Sequence, residues 1–191
     1  MHNPTNLDLL LIVFSAIIWL GMLLFLKLKK QKTAIYLLFF TIFFIYIYKV
    51  LDYTLFQFQS LLILKYLVPN LILNGQAHGK ELNLIPLLTL TSEDLKTSFL
   101  NVFLFLPFGF GLPFITNFRL KQISLAALLC SVLIELLQLS TGLLAQITFR
   151  IADINDVIFN TLGAIIGYLI FIKSLKTLHR FLPQYPHLRR E

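Results

Sequence analysis

Charge is what this chain has least of. Only 13% of its 191 residues are charged, and Asp and Glu together number 9. A water-soluble domain of this length needs a polar surface that so few charges cannot supply, which excludes a soluble globular fold. Cysteine is nearly absent as well. Cys130 stands alone, so no intramolecular disulfide can form and no zinc site can be built on thiolates; an embedded thiol serves as a small apolar side chain. The histidines, His2, His78, His179 and His187, are scattered through polar or terminal segments, and a histidine-based metal site has no support. Strict apolar–polar alternation is missing, which argues against a membrane β-barrel. There is no P-loop, no GxSxG elbow and no Ser-His-Asp arrangement, so those chemistries drop out.

What the chain has in quantity is apolar surface: 58% of its residues are hydrophobic and its mean hydropathy is +0.82. A helix crossing the hydrocarbon needs about 20 apolar residues. Five runs qualify, at 6–26, 33–50, 99–115, 122–140 and 156–172. The expected fold is therefore all-α, a polytopic transmembrane helical bundle forming a single membrane domain over residues 1–191. The formal net charge of +7 comes from basic residues gathered where apolar runs end: Lys27 to Lys32, then Arg119 and Lys121, then Lys173 to Arg190. Such placement points to topology and anionic lipid headgroups rather than to nucleic acid. Five spans with the N-terminus outside and the C-terminus inside put every basic cluster on the inner face. The first span has no basic residue before it and four lysines just after it. A cleavable signal peptide has the reverse order, so this span is expected to be retained. Residues 55–73 are apolar but carry Gln57, Gln59, Lys65 and Pro69. A sixth span there would turn the later basic clusters outward, so a re-entrant or interfacial segment is expected.

Two features concern backbone packing. Pro107, Gly109, Gly111 and Pro113 crowd the third span, which predicts a helix that is kinked or locally unwound, for packing or to shape a cavity. Gly163 and Gly167 form a GxxxG pair in the fifth span, the pattern of close helix packing.

The polar residues that remain are concentrated in SVLIELLQLSTGLLAQITFRIADINDVIFNTLGAIIG, residues 131–167. Glu135 lies inside the fourth span, where an acid costs roughly 2.5–3.5 kcal/mol on insertion scales. Gln138 at i+3 and Ser131 at i−4 share its helix face. Asp153, Asp156, Asn160, Gly163 and Gly167 follow at intervals of 3, 4, 3 and 4, one stripe if the fifth helix begins near Asp153. Asn83, in LNLIP, marks a turn at the surface, and Asn101 lies near the outer end of the third span. The charge-derived orientation brings Asn101, Glu135, Gln138, Asp153, Asp156 and Asn160 to the outer third of the membrane or just above it, with Arg150 over them from the loop.

Carboxylates with amide oxygens can hold a hard cation such as Mg²⁺ or Ca²⁺; here the ligands would be Glu135, Asp153 and Asp156. A carboxylate in apolar surroundings can act as a general base or acid, and Arg150 can grip a phosphate or carboxylate bidentately. In an enzymatic reading Glu135, Asp156 and Asp153 are catalytic, while Arg150, Asn101, Gln138, Asn160 and Asn83 bind a lipid headgroup or a lipid-linked phosphate. Each residue also has a plainer role. Asp153 and Asp156 can cap a helix N-terminus, Arg150 can pair with Asp153 or Glu135, and Asn160 can be an interhelical hydrogen bond. Glu135 is the one that no cap or terminus explains.

Taken in order, LNLIP (82–86), NVFLFLPFGFGLP (101–113), SVLIELLQL (131–139) and FRIADINDVIFNTLGAIIGY (149–168) resemble the VanZ-like family of bacterial membrane proteins, over roughly residues 80–170. The resemblance implies a small multi-span protein of the bacterial cell membrane. Its founding member is linked to low-level resistance to the glycopeptide teicoplanin, and relatives to lipoglycopeptide resistance. It further implies that Asn83, Asn101, Glu135, Gln138, Arg150, Asp153, Asp156 and Asn160 are the recurrent polar positions. It supplies a phenotype rather than a reaction. An enzyme acting on an envelope lipid or lipid-linked precursor, and a non-catalytic protein that binds such a lipid, a lipoglycopeptide tail or a partner membrane protein, both stay open.

Overall fold

The computed structural model describes residues 6–56, 82–86, 92–145 and 152–181. Its helices are α1 (Asn6–Leu28), α2 (Ala34–Leu51), α3 (Ser92–Ile115), α4 (Leu120–Ala145) and α5 (Ile154–Phe181). A π-helical turn, Asp52–Phe56, extends α2, and two short strands, β1 (Leu82–Asn83) and β2 (Ala152–Asp153), complete the described elements. Among the described residues five helices are long and apolar enough to cross a membrane, as the hydropathy requires. The expected re-entrant segment at 55–73 lies almost wholly outside the described residues, as do Arg150 and the basic tail beyond residue 181.

The chain divides into two compact units, residues 1–84 with 133–153, and residues 85–132 with 154–191. The first unit opens with an antiparallel hairpin of α1 and α2. The basic turn between them is closed by Gln31, a non-glycine residue at φ 48°, and Thr33 caps α2 by accepting the Tyr36 N–H at 3.3 Å. Within the membrane a buried indole N–H needs a partner. Trp19 Nε1 donates to Thr41 Oγ1 at 3.3 Å, and that hydroxyl donates to the Leu37 carbonyl at 2.8 Å. Elsewhere α1 presents its apolar side chains outward: Leu10, Phe14 and Ile17 are all more than 60% exposed. In water that surface would aggregate; lipid is its solvent. β1 and β2 pair in parallel, with Leu82 opposite Ala152 and Asn83 opposite Asp153. Within LNLIP, Leu82 and Asn83 form this strand, and the expected turn follows at Ile85 and Pro86.

In the second unit α3 and α5 pack almost backbone to backbone. A Cβ at Gly163 would fall on the Val102 carbonyl, and one at Gly167 on the Leu106 carbonyl; a Cβ at Gly109 would fall on the main chain of Ala164. Gly163 and Gly167 thus meet successive turns of α3 in the same chain direction, so α3 and α5 run parallel. That is the relation expected of spans separated by one crossing. The absence of side chains on this seam lets carbonyl oxygens approach Cα hydrogens, the contact that stabilises glycine-mediated helix pairs in membranes. Of the two outcomes expected for the third span, local unwinding is corrected here. α3 runs without interruption from Ser92 to Ile115 through Pro107 and Pro113, with no unwound stretch between them, and Gly109 serves the seam. Edge-on contacts of Phe171 with Phe114 (5.0 Å) and Phe110 (6.1 Å) lock the C-terminal turns of α3 to α5.

Candidate functional site

On α4 the buried positions Ile123, Ala127, Ser131, Ile134, Glu135 and Gln138 recur at helical spacing. The expected grouping of Ser131, Glu135 and Gln138 on one face is therefore seen, and the face is turned inward.

Glu135 and Gln138 belong to the first unit. Glu135 is 8% exposed, and its Oε2 accepts the main-chain N–H of Asp153 at 3.0 Å. Asp153 Oδ2 in turn accepts from Asn83 Nδ2 at 3.1 Å. Strand pairing makes this possible, because the register sets Asn83 opposite Asp153. Three of the sequence-predicted residues, Asn83, Glu135 and Asp153, are thus joined in one chain of hydrogen bonds. Gln138, 6% exposed, donates Nε2 to the Thr54 carbonyl at 3.0 Å. Thr54 lies in the π-helical turn, where the usual i to i+4 ladder is broken and carbonyls need outside donors. Only the amide nitrogen can donate to a carbonyl, so Gln138 Oε1 faces the other way, and it has no partner among the described residues. This unit can therefore fix a carboxylate and offer a buried acceptor beside it on α4.

Asp153 precedes α5 rather than forming part of it. The helix thus begins next to Asp153, the condition on which the expected stripe rested, and Asp156 falls in its first turn, where a negative charge favours the helix dipole.

In the second unit Asn160 Nδ2 donates to Ser131 Oγ at 2.8 Å, linking α5 to α4. Asn101 on α3 is buried. The metal expectation finds no geometric support: among the described residues no three His, Cys, Asp or Glu side chains are grouped to hold an ion, so Glu135, Asp153 and Asp156 do not form such a set. Four buried polar contributors were not among the expected site residues: the Thr54 carbonyl, Ser98, Ser131 and Asn155. Ser98 is three residues before Asn101, and Ser131 four before Glu135, so helical spacing was a usable signal for both. Asn155 stands one position off the predicted stripe, and a main-chain carbonyl leaves no trace in a sequence.

Residues 53–177 match the model of the VanZ/LLP1 family. The chain belongs to this family. No curated protein and no solved structure matches it. The VanZ/LLP1 match reaches beyond the roughly 80–170 recognised from motifs, taking in the π-helical turn with Thr54 at one end and most of α5 at the other. Both units contribute to the family segment, whereas α1 and α2 precede it. With five helices among the described residues long and apolar enough to cross a membrane, this VanZ/LLP1 protein is a multi-pass membrane protein, of a family associated with glycopeptide resistance.

Proposed function

We propose that this VanZ/LLP1 protein acts at the outer leaflet of a bacterial cell membrane on a lipid or lipid-linked cell-envelope molecule, and that protection against teicoplanin-type glycopeptides follows from that activity. In this reading the N-terminus lies outside and the C-terminus inside, the orientation that gathers the basic clusters on the inner face. Glu135 is the general base, and Asp153 supplies a second acid. Arg150, two residues before β2 in the sequence, grips the anionic part of the headgroup, and Asn83 and Gln138 orient it.

The observation that carries the proposal is Glu135 itself. An acid placed in a membrane span is costly, yet this one is both kept and aimed by a fixed main-chain donor at 3.0 Å. Three residues on, Gln138 holds a buried acceptor without a partner among the described residues. Alignment of that kind is what a base needs before substrate arrives. A second reading rests on the same bond. The Glu135–Asp153 link also ties β2 to α4, and a site built around it can bind a headgroup without chemistry.

Glu135→Gln separates the two. Glutamine keeps an oxygen that can accept the Asp153 N–H, so the tie survives while the charge is lost. In a glycopeptide-sensitive Gram-positive host, with membrane levels matched by quantitative blot, loss of teicoplanin protection in Glu135→Gln supports the catalytic reading. Full protection by the variant rejects a base at this position and leaves the binding reading. A wild type that gives no protection removes the resistance phenotype from this chain.

A further inference from the structure

The second unit contains a pair of unmet hydrogen-bonding groups that the proposed chemistry does not use. Asn101 and Asn160 are 6% and 3% exposed. Asn101 Nδ2 and Asn160 Oδ1 have no partner among the described residues. They stand on α3 and α5, the two helices that run parallel at closest approach. Gly163 meets Val102, so Asn160, one turn before Gly163, is level with the Ser98–Asn101 turn of α3. An orphaned donor and an orphaned acceptor thus occur at one depth on adjoining helices. Leaving a buried polar group unpaired costs about 1–3 kcal/mol each, and in a membrane interior there is no bulk water to relieve it.

We infer that Asn101 and Asn160 form a buried site for one hydroxyl group, which accepts from Asn101 Nδ2 and donates to Asn160 Oδ1. A hydroxyl or a water is the smallest group that does both. An ammonium has no acceptor and a carboxylate no donor, so each would leave one asparagine unmet. Asn160 Nδ2 is taken up by the Ser131 hydroxyl at 2.8 Å, which leaves Oδ1 as the acceptor for the bound group. The hydroxyl can come from a water molecule, which requires two to four polar partners of this kind, or from the polyol headgroup of a lipid.

The test is a double-mutant cycle on the full-length chain in nanodiscs, using Asn101→Leu, Asn160→Leu and the double variant, with thermal unfolding as the readout. Leucine keeps the branch at Cγ and removes both polar atoms. A shared hydroxyl makes the losses non-additive: the double variant melts no lower than Asn160→Leu alone, because a hydroxyl with one partner is already lost. Additive losses overturn the site. Nanodiscs of phosphatidylglycerol and of phosphatidylpropanol, equal in charge but differing in headgroup hydroxyls, identify the source. A higher melting temperature in phosphatidylglycerol for the wild type, absent in the double variant, assigns a lipid hydroxyl; equal temperatures with non-additivity assign water. Should the leucine variants fail to accumulate, wild type labelled with ¹⁵N-asparagine decides the matter. A cross-peak from water or headgroup protons to Asn101 Nδ2 supports the site, and its absence overturns it.

Discussion

Gly163→Ala puts one methyl group into the α3–α5 seam. Its carbon would stand 2.9 Å from Val102 Cα and closer still to the Val102 carbonyl. Carbon atoms in comfortable contact are about 3.5–4.0 Å apart, so the helices must part by roughly 0.6 Å or more at this turn. Neither partner can rotate aside, since the obstacle is main chain. A gap of that size forfeits about a quarter to a half of each neighbouring dispersion contact, and overpacking of this kind typically costs about 1–3 kcal/mol. We expect the upper part of that range for alanine, and no accumulation of Gly163→Leu. Gly21→Ala is the internal control. Gly21 is also in a membrane helix, but nothing lies within 4 Å of the position its Cβ would take, so alanine there should be neutral or gain up to about 1 kcal/mol of helix preference. The assay is equilibrium unfolding of the purified full-length chain in mixed micelles. Equal stability of Gly163→Ala and Gly21→Ala would refute the close approach of α3 and α5.

Other consequences can be checked alongside. Glu135→Leu leaves the Asp153 N–H without its acceptor and should cost about 1–3 kcal/mol, whereas Glu135→Gln should unfold close to wild type; reversal of that order in the same assay removes the tie. Leu82→Cys with Ala152→Cys, in a Cys130→Ser background, should crosslink under mild oxidation because the two positions face each other in the parallel pair; an uncrosslinked product on non-reducing gels would reject the register. Gln138→Leu should destabilise through the uncovered Thr54 carbonyl while Gln138→Glu, an isostere that cannot donate when ionised, should do so at least as much, read by the same unfolding curves. A cysteine at Gln31 should react with a membrane-impermeant maleimide only in opened cells if the basic turn is cytoplasmic; labelling of intact cells would invert the topology.

The parts of this fold that the sequence announces are those governed by solvent. Lipid demands long apolar runs, and all five emerge within a few residues of the expected bounds at most ends. The helices overrun where polar turns continue past the hydrocarbon: α3 begins at Ser92 rather than 99, and α5 continues to Phe181. Helical spacing likewise announced the buried face of α4 and the glycine seam of α5. What stayed illegible was pairing between distant segments. Two strands of two residues each, 70 positions apart, have no periodicity to detect, so nothing in LNLIP showed that Asn83 would meet Asp153. Strand pairing also claims Asp153, the residue directly before α5 begins. The prolines of α3 argue for a break by propensity, yet the helix continues through both along the seam with α5.

The seam between α3 and α5 also has a genetic consequence. When a core side chain is enlarged, a second-site change can often restore the fold by trimming the side chain it strikes. At Gly163, Gly167 and Gly109 the struck atoms include carbonyl oxygens and other main-chain atoms of Val102, Leu106 and Ala164, and every residue carries those. No substitution at the facing positions can make room. Suppressors of Gly163→Ala should therefore map away from Val102, to changes that stabilise the unit elsewhere, and reversion at codon 163 should dominate any selection for recovered function.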